Sequence, residues 1–112
     1  MIDLKQKELK EWQLINFGIP EPSDMIIGMT EELGELSHYF LKGKQGIREA
    51  ANGTDVTDKI TDAFGDIIIF GTQLMTCLGR DAEQEIKKVL SEVLQRDFVN
   101  NPSGVGYSQH KE

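Results

Sequence analysis

The chain has 112 residues, a formal net charge of −7, and 38% hydrophobic and 28% charged residues. That length buries one core and is too short for two, so a single domain over residues 1–112 is expected. The acidic balance leaves no broad basic face and so excludes a polymeric nucleic-acid partner, and the single cysteine, Cys77, excludes an internal disulfide and a thiolate zinc site.

Four helices are expected, over about residues 3–17, 23–42, 55–78 and 82–98. In the first, Leu9, Trp12 and Phe17 recur near helical spacing, Asp3 is the expected cap, and Gly18 with Pro20 and Pro22 stops it. Ser23 is the expected cap of the second, with Asp24 in its first turn. Met25, Ile26, Met29, Leu33, Leu36 and Phe40 form its expected buried stripe, and Gly43 its stop. Thr54 or Asp55 should start the third, which carries apolar residues nearly all round from Ile60 to Leu78 and ends at Gly79. Such a helix is central or meets another subunit, so a homodimer or homotetramer is expected. Asp81 caps the fourth, with Ile86, Val89, Leu90, Val93 and Leu94 inward, and residues 99–112 read as an irregular tail. No strand signal appears, and the class is all-α, a four-helix bundle-like domain.

Cys77 lies in an apolar helical stretch and reads as a core thiol. The start, Met1-Ile2-Asp3-Leu4-Lys5, lacks the basic-then-apolar order of a signal peptide. The longest apolar run, residues 67–78, is interrupted by Gly71, Thr72, Gln73 and Thr76 and is too short and polar for a membrane. A cytoplasmic protein with no membrane partner is expected.

Two acidic groups stand out. Glu31-Glu32-Leu33-Gly34-Glu35 places Glu32 and Glu35 on one helix face, and Asp62 and Asp66 sit one turn apart on the third helix. Both pairs fall roughly 70–150° from the centre of their apolar stripes, at the border of core and solvent. Like charges so spaced cost about 0.2–0.5 kcal/mol per pair unless a cation intervenes. Hard oxygen donors in that number suit Mg²⁺, or Mn²⁺ as a substitute. The alternative is two solvated acidic faces. Glu35-Leu36-Ser37-His38 is a Glu-x-x-His unit, but a di-iron bundle needs a second one and none is present, so His38 is expected on the surface.

The motifs resemble those of the MazG-like all-α nucleoside triphosphate pyrophosphohydrolases over about residues 25–100. The resemblance rests on Glu31-Glu32-Leu33-Gly34-Glu35 and Asp62-Ala63-Phe64-Gly65-Asp66, strengthened by residues 41–48 and 92–98. The family pattern is Glu-Glu-x-x-Glu, a spacer, then Glu-x-x-Asp. Here the second half departs, with Ala63 three before Asp66 and the acid at Asp62. The resemblance implies Mg²⁺-dependent hydrolysis of nucleoside triphosphates to monophosphate and pyrophosphate, with house-cleaning of the nucleotide pool as one role. It implies metal on Glu32, Glu35 and Asp66 with Asp62 as fourth ligand, and Glu31 orienting or deprotonating water. Lys42, Lys44, Arg48 and Arg96 would grip phosphates, against the alternatives of helix-end partners for the lysines and plain surface charge for the arginines. Trp12 and Phe17 are expected in the core rather than on a base. Two other functions stay open: a narrow dUTP, dCTP or phosphoribosyl-ATP hydrolase, and a non-catalytic helical binding module.

Overall fold

The computed structural model describes residues 3–46 and 56–102, and every regular element among them is helical. The helices are α1 (Gln6–Phe17), α2 (Pro22–Lys44), α3 (Val56–Cys77) and α4 (Ala82–Val93). No helix among the described residues is long and apolar enough to cross a membrane. The chain divides into two compact units, one from residue 2 to Ala82 and one from Glu83 onward.

Local chemistry sets the boundaries. Asp3 does not cap α1. Its Oδ1 accepts from the Lys5 N–H at 2.8 Å, and Lys5, at the N-cap, takes a left-handed conformation with φ 53°. Gly18 ends α1 as expected, with φ 85° and its N–H donating to the Gln13 carbonyl. α2 begins at Pro22, one residue before the expected cap. Proline suits the first helical position because its missing N–H has no partner to lose there. Ser23 therefore falls inside the first turn.

Gly43 does not stop α2, which runs on to Lys44 before Gly46 takes φ 74°. A Cβ on Gly43 would lie 3.1 Å from Val56 Cγ1, so this glycine lets two helices approach. α3 closes in a Schellman turn at Gly79 (φ 71°), with the Gly79 N–H on Thr76 O and the Arg80 N–H on Met75 O.

The first unit is built on α2 packed against α3, with α1 also in contact with α3. The α2–α3 register is antiparallel. Gly43 meets Val56, Lys59 lies over the Tyr39 ring, and Gly28 meets Phe70. A Cβ on Gly28 would lie 2.5 Å from the Phe70 ring, so only glycine allows that spacing. Gln6 ties the ends of α1 and α3 together: its Nε2 donates to Thr76 Oγ1 and Arg80 O, and its Oε1 accepts from the Ala82 N–H.

The buried stripe of α2 differs from the expected one. Met25 and Gly28 are buried and Met29, Glu32, Leu36 and Tyr39 half-buried, which defines the inner row. Ile26, Leu33 and Phe40 are 51%, 56% and 60% exposed. They form a second apolar row about 90° round the helix, at 100° per residue. On α3, Phe64 and Ile69 are likewise exposed, as is Leu78 just beyond its end.

In the second unit α4 ends at Val93, five residues before the expected 98. The Asp97 carboxylate then takes the N–H groups of Val99 and Asn100 and the Asn100 side-chain amide, a local turn that competes with helix. Those donors hold the Asp97 carboxyl below its usual range, the Asn100 side chain most of all. Ile86, Val89, Leu90, Val93 and Leu94, expected inward, are exposed.

Candidate functional site

The α2–α3 packing sorts the carboxylates. Glu32 is on the inner row and half-buried. Glu31 and Glu35 flank it on the side of α2 away from Ile26, Leu33 and Phe40, as helical geometry requires. Glu31, Glu32, Gly34, Glu35 and His38 line a cavity of about 540 Å³. Glu31 and Asp66 also border a second cavity of about 550 Å³, so Glu31 belongs to both.

Glu32 carries the electrostatic signature. Its carboxyl is held above its ordinary value of 4.5 first by desolvation, then by the charges of Glu35 and Asp66, by a hydrogen bond with Glu35 and by the charge of Glu31. Both helices therefore contribute acids that act on one another across the interface. Asp62 is exposed and is not among the groups acting on Glu32. Its neighbour Ala63 is the residue that turns inward, at 4% exposure.

The donors are hard carboxylate oxygens carrying mutual repulsion, which is the chemistry a divalent cation relieves. Among the described residues no three His, Cys, Asp or Glu side chains are already gathered to hold a metal ion.

The expected phosphate-binding residues separate. Lys42 and Lys44 both lie in the last turn of α2. Lys42 is half-buried and falls on the same flank as Glu35, two turns further on, whereas Lys44 lies about 180° round the helix. Arg48 lies outside the described residues. Arg96 belongs to the second unit, where its N–H donates to Val93 O just beyond α4.

Lys59, Gln13 and Gln73 were not singled out as site residues by sequence. Lys59, half-buried on the inner row of α3, places its Nζ 5.7 Å from the Tyr39 ring centroid, the row then continuing through Ala63 to Asp66. Gln13 and Gln73 are both buried and hydrogen-bond to each other at 2.7 Å. Trp12 and Phe17 are not core residues; they are exposed, pack edge-to-face at 5.6 Å, and border the second cavity. His38 is exposed as expected, yet it lines the acidic cavity. Cys77 is half-buried, its Sγ 3.6 Å from Pro20 O. Comparison of the chain with family models, with curated proteins and with solved structures gives no match.

Proposed function

We propose that the chain is a Mg²⁺-dependent nucleotide pyrophosphohydrolase of the MazG-like all-α type. The observation that carries the reading is the Glu32 carboxyl, raised by burial and by acids from both α2 and α3. An inward carboxylate crowded by like charges is a poor structural element and a good cation ligand. In this reading Glu32, Glu35 and Asp66 would hold Mg²⁺, or Mn²⁺ in its place, with Asp62 as a further ligand. The metal, when bound, neutralises phosphate charge and lowers the pKa of water.

Glu31, shared by both cavities, orients the attacking water and takes its proton. Water adds to the α-phosphorus, the bond to the β-phosphate oxygen breaks, and monophosphate and pyrophosphate leave. Lys42 stands nearest in rotation to the acidic flank and grips the outer phosphates. Arg48 is a further cation for the same task. The exposed row of Ile26, Leu33 and Phe40 lies on the flank away from Glu31 and Glu35. A second copy covering that row would leave the carboxylates open, which supports a homodimer or homotetramer.

Pyrophosphate release from a panel of ribo- and deoxyribonucleoside triphosphates with Mg²⁺ tests the reading. Turnover of many substrates supports a house-cleaning enzyme, and turnover of one supports a narrow dUTP, dCTP or phosphoribosyl-ATP hydrolase. Silence across the panel makes the chain a non-catalytic binding module.

A further inference from the structure

A third cavity, of about 410 Å³, lies where the start of α1 meets the end of α3, lined by Gln6, Lys7, Lys10, Thr76, Arg80 and Asp81. All six belong to the first unit. Its floor is already ordered. Gln6 Nε2 gives its two N–H groups to Thr76 Oγ1 and the Arg80 carbonyl, and Gln6 Oε1 accepts from the Ala82 N–H. Thr76 Oγ1 in turn donates to the Thr72 carbonyl. Those side chains have no N–H or O–H left for a ligand, so recognition falls to the rim.

On the rim, Lys7, Lys10 and Arg80 set three cations against one carboxylate, Asp81. A cavity of charge +2 therefore opens in a chain of net charge −7. Two features set the lysines apart from ordinary surface charge. Lys7 stands in the first turn of α1, where the positive end of the helix dipole disfavours a cation. Lys7 and Lys10 are also three residues apart on one helix, a spacing at which like charges repel. No carboxylate relieves either cost. Glu8 pairs with Lys5, and neither Lys7 nor Lys10 makes an ion pair among the described residues.

We infer that this cavity binds a small polyphosphate anion, with two adjacent phosphate groups held between Lys7 and Lys10 on α1 and Arg80 beyond α3. Such an anion relieves the lysine repulsion, and its oxygens are the acceptors that ammonium and guanidinium groups favour. A single carboxylate would leave half of the +2 charge in place, whereas a diphosphate neutralises it. The cavity is separate from the carboxylates of α2 and α3: Thr76 lies ten residues beyond Asp66 on α3, about 15 Å along the axis. The inference therefore stands apart from the proposed hydrolase. Its ligand bridges the two segments that Gln6 already joins.

Pyrophosphate is titrated to millimolar concentration into the isotope-labelled full chain in EDTA, with ionic strength held constant by NaCl, and backbone amide shifts are followed. Without metal the carboxylates of α2 and α3 repel the anion, so the third cavity is tested alone. Saturable shifts are expected over residues 5–11 and 76–82, with residues 31–42 unmoved. Lys7→Gln and Lys10→Gln, both at exposed positions, should each weaken binding about threefold and together about tenfold, the scale of solvent-screened ion pairs. Lys88→Gln, which removes an exposed charge from α4, should bind like wild type. ADP titrated alongside identifies the source of the phosphates: affinity equal to that of pyrophosphate marks a site for free polyphosphate, and tighter binding marks a nucleotide. Absence of saturable shifts in the two segments, or a double variant that binds like wild type, overturns the inference. Neither readout involves turnover or bound metal, so failure of this site and failure of the hydrolase reading are separate results.

Discussion

Glu32→Gln should stabilise the metal-free protein and destabilise it relative to wild type once Mg²⁺ is present. Glutamine keeps the size of Glu32 and offers an N–H to Glu35, while removing one charge from a group of four. The Glu32–Glu35 pair at i,i+3 costs about 0.2–0.5 kcal/mol. A charge across two helices, as for Asp66, is of similar scale, about 0.2–1 kcal/mol when solvent-screened. The gain should therefore be about 0.5–1 kcal/mol, or ~2–6 °C in Tm for a chain of this size. The pH dependence has a definite sign. Because the folded Glu32 carboxyl lies above its ordinary 4.5, the native state holds a proton that the unfolded chain has released, and wild-type stability falls as pH rises through that window. The gap between variant and wild type should open above pH 4.5 and be complete at pH 7. Mg²⁺ at 100 times its dissociation constant adds about 2.7 kcal/mol to wild type, enough to reverse the order if the variant does not bind. Thermal melts of both proteins in EDTA and in Mg²⁺, at pH 5, 6 and 7, provide the assay. A variant less stable than wild type in EDTA at pH 7, or a gap indifferent to pH, would refute the electrostatic account of Glu32.

Asp66→Asn should abolish turnover, whereas Asp62→Asn should lower it and raise the Mg²⁺ requirement; rate measured against Mg²⁺ separates them, and a wild-type curve for Asp62→Asn leaves three protein ligands. Gly28→Ala should cost about 1–3 kcal/mol, read as a lower Tm, because the new methyl overlaps the Phe70 ring. Light scattering at micromolar concentration should give at least twice the 12.6 kDa chain mass, and Leu33→Glu with Phe40→Glu should return it to one chain.

The helices were legible because apolar periodicity and the glycines at 18 and 79 are local signals. The errors came where one residue type serves two purposes. Gly43 reads as a stop, but its role depends on Val56, thirteen positions later and on another helix. Ser23 reads as a cap, but Pro22 is already suited to the first helical position. The α2 stripe read as one face because Ile26, Leu33 and Phe40 sit beside Met25, Met29 and Leu36 in rotation; their average centre put Glu32 at the border, when Glu32 belongs to the inner row. Glu31, Glu32 and Glu35 fall in one short run and Asp66 in a second beside a glycine, and those local runs singled them out together. The Gln13–Gln73 pair carried no charge and no motif, and its members lie sixty positions apart.

The inward position of Ala63 follows from the same register. With Gly43 on Val56, Tyr39 on Lys59 and Gly28 on Phe70, residue 63 falls opposite Glu35. An acid there would point into the row that already holds Glu32 and meet Glu35 and Asp66 at close range. Each further inward carboxylate raises the others and costs desolvation, while alanine at 4% exposure lets the helices close on one inward acid. Asp62, exposed and about 40° round from Asp66, keeps its charge in solvent at little cost. Glu32 is left as the single inward carboxylate, with Glu31, Glu35 and Asp66 acting on it from around it. Lys59, one turn before Ala63, sets a cation on the same row and holds it against Tyr39.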